Sequence, residues 1–220
     1  MDEDLAKLIE ARGWYQETLA GRVIKALEKN NITGIFVKTK EEALEKVMSL
    51  IPEGSEVGYG GSRTLDDIGV KNALRQGNYD LIGEDVQKLG KDSAHIKRTR
   101  SLLADVFITS VNALTTDGKL VCIDGTGNRV GAIIFGPGKV VAIAGINKIV
   151  HDVDAAIRRI KDYVVPIQSR RRGHPVPCAK AGVCVDCRVM ERMCNNVCII
   201  EHQREKERIT VIIVGEELGI

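Results

Sequence analysis

The sequence has 220 residues, 44% of them apolar and 28% charged, and its 32 basic and 30 acidic side chains leave a formal charge of +2. That balance gives no drive toward bulk polyanions, aromatics at 4% are too scarce for a base-stacking nucleic-acid platform, and no apolar run approaches the roughly 20 residues that span a bilayer. The acidic start Met1-Asp2-Glu3-Asp4 lacks the layout of a signal peptide, so the expected location is the cytoplasm.

Leu5, Leu8, Ile9, Leu19, Val23, Ile24 and Leu27 recur at helical spacing and predict a helix over 5–29, with Gly13 as a point where it would divide. A strand follows over 32–37. Thr39 then caps a helix over 40–50, with Glu42 at the capping-box position. Pro52-Glu53-Gly54 is a turn and Glu56 to Tyr59 a short strand. Next come the loop Gly60-Gly61-Ser62-Arg63-Thr64 and an amphipathic helix over 65–75. Residues 79–82 read as strand, 92–103 as helix, and 105–110 as a strongly apolar strand. Thr116-Asp117-Gly118 is a hairpin signal leading into a strand over 119–123. The loop Asp124-Gly125-Thr126-Gly127-Asn128 opens a short helix through Phe135. A buried strand over 139–144 and a helix over 152–163 complete the series. Such alternation predicts a layered α/β domain with a largely parallel sheet over residues 1–165.

Beyond Val165 the pattern changes. Three of the five prolines fall within 12 residues, around Arg170-Arg171-Arg172-Gly173-His174, and five of the six cysteines fall within the next 21. The apolar runs 197–201 and 209–214 are expected to form a terminal hairpin that extends the main sheet. Residues 166–220 are therefore expected to form a linker, a cysteine-rich metal module and a hairpin.

Two kinds of chemistry stand out. Glycine-rich loops between a strand and a helix let backbone N–H groups approach an anion, and the carboxyl ends of parallel strands are where α/β sheets collect ligands. Gly60, Gly61, Ser62, Arg63 and Thr64 form one such loop. Asp124, Gly125, Thr126, Gly127, Asn128 and Arg129 form a second, and Ser110 and Asn112 leave a third strand at the same edge. These are the expected ligand-binding residues, for a small carboxylate or phosphate. Asp124 as a general base and Arg129 as an anion partner are the catalytic candidates, although an Asp in that place also serves simply as a turn cap. Neither the Walker lysine pattern nor the dinucleotide glycine spacing is present. Arg170 to Arg172 read either as a solvated linker or as contacts to an anion.

The second kind is thiolate chemistry. Cys178-x5-Cys184-x2-Cys187-x6-Cys194 supplies four soft donors around a C-x2-C pair, and without a secretory signal this reads as a metal site before disulfides. The spacing suits structural zinc or an iron–sulfur cluster and does not choose between them. Cys198 looks additional to the set, and Cys122 stands apart.

Several stretches resemble the lactate-utilisation, or LUD-domain, family. They are Gly60 to Gly69, Ala104 to Gly118, Asp124 to Val130, Ala144 to Val150, Pro177-Cys178-Ala179-Lys180 and Cys184-Val185-Asp186-Cys187. The chain looks like a stand-alone member with a C-terminal cysteine motif. The resemblance implies a fold similar to the sugar-phosphate isomerase and CoA-transferase group, and a link to an iron–sulfur system that oxidises L-lactate. This chain lacks the paired ferredoxin motifs of the clustered subunit of that system. Three functions follow for comparison. The first is a redox accessory subunit with a [4Fe–4S] cluster, in lactate or related hydroxy-acid metabolism. The second is an isomerase- or transferase-like enzyme with structural zinc, acting on a phosphorylated or acyl metabolite. The third is a non-catalytic sensor or assembly module. The expected partners are a small anionic metabolite, then a redox protein or a second copy of the chain, with no nucleic acid and no membrane.

Overall fold

The computed structural model describes residues 2–83 and 92–220. Helix α1 (Glu3–Lys29) runs unbroken through Gly13. A mid-helix glycine costs about 1 kcal/mol relative to alanine. Against it stand the Asp2 cap on the Asp4 N–H, the acidic first turn, and the burial of Ala20, Val23 and Leu27. Strand β1 (Thr33–Val37) follows. In α2 (Lys40–Leu50) the Thr39 hydroxyl accepts from the Glu42 N–H, and the Glu42 carboxylate reaches back to the Lys38 N–H.

Strand β2 (Glu56–Tyr59) leads into two helices, α3 (Arg63–Asp67) and α4 (Val70–Gln76), where the pattern predicts one. Gly69 separates them at φ 74°, a left-handed conformation that ends the first helix and that only glycine adopts cheaply. Strand β3 (Asp80–Leu81), α5 (Ser93–Ser101) and β4 (Val106–Ser110) come next. The predicted hairpin is present as β5 (Ala113–Thr115) and β6 (Leu120–Asp124). Helix α6 (Asn128–Ile134), β7 (Lys139–Gly145), a 3₁₀ turn over Ile146–Lys148 and β8 (Ile149–Val150) follow.

Helix α7 (Val153–Arg159) does not stop near Tyr163. It widens into a π turn over Ile160–Val164 and continues as α8 (Val165–Arg171). Pro166 has no N–H to give the preceding turn, and the wider turn accommodates that loss without ending the helix. A short α9 (Cys178–Ala181) precedes strands β9 (Asn196–Ile200) and β10 (Ile209–Val214).

The main sheet has six strands in the order β1-β10-β7-β4-β2-β3, all parallel. A second sheet runs β8-β5-β6-β9. Alternate residues of the main sheet face opposite layers. Val106, Ile108, Val141, Ile143, Ile212 and Val214 pack with Ala43, Val47, Leu65, Val70 and Leu74 of α2 to α4. Phe107, Val140, Ala142, Val211 and Ile213 pack with α1, α6 and one face of the second sheet. The other face of that sheet, through Ala113, Val121 and Ile123, meets Ala156, Ile160 and Val164.

The expected terminal hairpin is not formed. β9 pairs antiparallel with β6, whereas β10 lies between β1 and β7 in the main sheet. The reason is visible in the side chains. All six residues of β10 are buried, as a strand covered on both faces requires, while β9 exposes Asn196, Val197 and Ile199. Residues 166–220 thus supply one strand to each sheet. No helix among the described residues is long and apolar enough to cross a membrane.

Candidate functional site

The ends of β2, β4 and β6 and the turn after β7 open onto one cavity of about 930 Å³. Its lining includes Gly61, Ser62, Arg63, Thr64, Ser110, Asn112, Asp124, Gly125, Thr126, Asn128 and Arg129, so the three expected loops do converge. Gly60 lies just behind, where a Cβ would come within 3.0 Å of Thr109 Oγ1 and 3.1 Å of Arg129 Cδ, so any larger residue would press on both side chains.

Within the cavity the two loops differ from their expected roles. Asp124 accepts from the Thr126 and Gly127 N–H groups, both at 3.0 Å, so its carboxylate closes the turn and occupies the amides an anion would have used. The turn-cap reading of Asp124 is the one its bonds describe. Arg129 donates to the carbonyls of Ser110 at 2.8 Å and Ile123 at 2.9 Å and to Asn112 Oδ1 at 2.7 Å, with Asp124 3.5 Å from its Nε. It stitches the ends of β4 and β6 together, which makes it a positioning residue. Asn112 Oδ1 also accepts from the Ile123 N–H. In the first loop Ser62 hydrogen-bonds Ser110 at 2.8 Å and caps the Leu65 N–H, while Arg63 pairs with Asp67 and is half exposed. Helices α3 and α6 have only five and seven residues. Attraction for an anion here therefore comes from side-chain cations rather than helix dipoles.

Among those cations Lys97 and Lys148 are ones that spacing did not single out, whereas Arg172 comes from the Arg170 to Arg172 run. Lys97 of α5 donates to the Tyr59 hydroxyl at 2.6 Å and lies 3.8 Å from the ring centre. Arg172, at the end of α8, reaches over the first loop, its Nη2 3.5 Å from where a Gly61 Cβ would sit. Lys148, in the turn after β7, is 3% exposed and donates to Thr64 Oγ1 at 2.6 Å. Burial first, then the charges of Arg159 and Arg129, push its pKa down to about 7, against smaller opposing effects of Cys122 and Asp67. The unfolded chain holds this proton up to the ordinary 10.5, so the amine's penalty on folding is full below pH 7 and fades as pH rises through that window. The one signal for Lys148 in the sequence is a lysine set between Ile146 and Ile149 directly after a buried strand.

The cysteine segment forms a wall of this cavity through Met190, Glu191, Arg192, Met193 and Asn195. Asn195 and Asn196 tie it to the second loop by donating to the Gly125 and Asp124 carbonyls. Cys178 is buried with its Sγ 3.9 Å from Ser169 Oγ, and Cys194 packs among Ile123, Ile160 and Val164. Arg192 holds the Cys187 and Cys194 carbonyls. Among the described residues no three His, Cys, Asp or Glu side chains come together as a metal-donor group. Cys198 stands directly opposite Cys122 across β9 and β6, and burial pushes its thiol up to about 11.

The chain is thus an α/β domain built on a parallel sheet, with a cavity at its strand ends, the place where such sheets collect ligands. Residues 20–214 match the LUD domain family, so the chain belongs to it. It is also similar in fold to a DUF162 family protein from Deinococcus radiodurans, whose crystal structure aligns with a TM-score of 0.51 at 13% identity, over 91% of this chain and 98% of that one. No curated protein matches the sequence.

Proposed function

We propose that this chain binds, and acts on, an anionic metabolite of the phosphate-ester or acyl-thioester kind, as an isomerase- or transferase-like enzyme. The observation that carries this reading is the cavity itself. Arg63, Lys97, Arg98, Arg129, Arg172 and Arg192 line about 930 Å³ together with the buried Lys148, against Asp124 and Glu191 among the described residues. In a protein of nearly balanced charge this concavity carries a local excess of basic side chains, and its low-dielectric walls focus their field on an anion. Pockets of roughly 300–1,000 Å³ take ligands of drug size. A three-carbon acid such as lactate would leave most of this one empty.

Thermal shift with inorganic phosphate, a sugar phosphate, a CoA ester and lactate tests the reading. The phosphorylated ligands are expected to raise the Tm and lactate to do so least. Arg172→Ala, at an exposed position, should leave the fold intact and weaken the best ligand roughly 10- to 150-fold, the loss of a charge-assisted hydrogen bond of about 1.5–3 kcal/mol. No stabilisation by any anion would remove the proposal.

A redox role is the second reading, favoured by five cysteines on or beside the segment that walls the cavity. In it, Cys178, Cys184, Cys187 and Cys194 hold a [4Fe–4S] cluster that exchanges electrons with a partner protein during oxidation of lactate or a related hydroxy acid. Elemental analysis of anaerobically purified protein decides: iron and acid-labile sulfide near about four per chain support the cluster. One zinc without sulfide indicates a structural tetrahedral site, and neither leaves the cysteines as thiols.

A further inference from the structure

Lys148 is a cavity-lining lysine whose near-complete burial anion binding does not by itself explain. It lines the cavity, yet exposes only 3% of its surface and has the Thr64 hydroxyl as its hydrogen-bond partner at 2.6 Å. A leucine or methionine would fill the same space without the cost of desolvating an amine. Thr64 itself is buried at 1% exposed, so nothing about the loop's contact with water requires a lysine beneath it. The charged and titratable groups whose fields act on this nitrogen are Arg159 on α7, Arg129 on α6, Cys122 on β6 and Asp67 on α3. Burial of the amine in a cavity wall, with the field of two guanidiniums added to it, keeps the nitrogen lone pair available, as in lysines that act as nucleophiles near neutral pH.

We propose that Lys148 is a catalytic amine that attacks the carbonyl carbon of an anionic aldehyde or ketone held in the cavity and forms an imine with it. This deepens the anion-binding reading by naming the reactive group of the ligand, and rests on that reading for the ligand's charge. The Nζ lone pair adds to the carbonyl carbon to give a carbinolamine. The two amine protons then leave with the former carbonyl oxygen as water, and a C=N bond replaces C=O without any change of oxidation state. Thr64 Oγ1, already bonded to Nζ, is placed to pass one of those protons. An imine withdraws electrons from the neighbouring carbon, so the C–H beside it becomes acidic, which is the chemistry that moves a carbonyl along a carbon chain or cleaves the bond beside it.

The test uses two aldehydes, pyridoxal 5′-phosphate and its uncharged relative pyridoxal, each trapped on the full chain with borohydride and located by peptide mapping. Lys148 is expected to be labelled ahead of every other lysine by roughly tenfold or more at pH 7, because an ordinary lysine near 10.4 keeps far less than 1% of its amine neutral there. The rate should rise with pH around a midpoint of about 7. The phosphorylated aldehyde should react faster than pyridoxal, and inorganic phosphate should slow it. Lys148→Arg should lose the label while keeping the native circular-dichroism spectrum; the mapping of the wild type does not depend on that variant folding. Labels on surface lysines with none on Lys148, from both aldehydes, would overturn the proposal and leave anion binding to be judged by thermal shift. Equal labelling of Lys148 by both aldehydes, untouched by phosphate, would uphold the amine and count against the anion.

Discussion

Arg129→Ala is expected to lower stability by roughly 3–5 kcal/mol, the range seen when one member of a buried charged network is removed. The guanidinium is 13% exposed and has four protein partners: two carbonyls, the Asn112 side chain and the Asp124 carboxylate. Alanine takes the side-chain donor from the Ile123 carbonyl, one of two donors each from Asn112 Oδ1 and the Ser110 carbonyl, and the charge partner from Asp124, and a buried polar group left short of a partner costs about 1–3 kcal/mol. Lysine should rescue little, since a single ammonium cannot reproduce a planar fork that spans β4 and β6. Arg63→Ala is the control. Its side chain is 55% exposed with one partner, so the change should stay within about 1 kcal/mol. Urea denaturation of the three variants checks this. A variant Arg129→Ala that keeps its stability to within about 1 kcal/mol, yet loses ligand, would return Arg129 to the role of a direct anion contact.

A chain ending at residue 165 is expected not to fold cooperatively. It keeps most of the apolar residues, and by composition alone it looks sufficient. It lacks β10, however, and with it the strand that pairs with β1 on one side over five residues and β7 on the other over six. Without β10, β1 and the α1 helix packed on it have no ladder to the rest of the sheet, and Val140, Ala142, Val141 and Ile143 sit at an open parallel edge. Arg208, just before β10, is lost as well. Its guanidinium is 6% exposed and donates to the Ile133 and Ala132 carbonyls at the end of α6, the helix that begins at the second glycine loop. Circular dichroism across a urea titration should show a broad, non-cooperative change with dye-binding apolar surface exposed. A sharp transition with native helix and strand content would mean that the first 165 residues close a sheet of their own.

Most elements could be read along the chain because each is governed by local periodicity and capping. Thr39 and Glu42 around the start of α2, the Thr116-Asp117-Gly118 turn between β5 and β6, and the apolar run of β4 all behave as short-range physics predicts. The differences lie where a distant partner outweighs a local rule. Burial of Ala20, Val23 and Leu27 carries α1 past Gly13, and a π turn carries α7 past the end expected at Tyr163.

By itself the sequence determined the layered α/β class, the parallel sheet, the family and the three loops at the strand ends, since each is carried by contiguous residues. Only the tertiary structure decided which side chains in those loops are free to meet a ligand. Asp124 and Arg129 have the residue types of a catalytic pair, but a hydrogen-bonding group is available only after its neighbours have taken what they need. Those neighbours come from strands far apart in the chain. Lys97, Lys148 and Arg172 enter the cavity from three different elements, and no spacing along one segment can announce such a meeting. The place of β10 between β1 and β7 was decided the same way, by two faces that both had to be covered and a partner on each side to cover them.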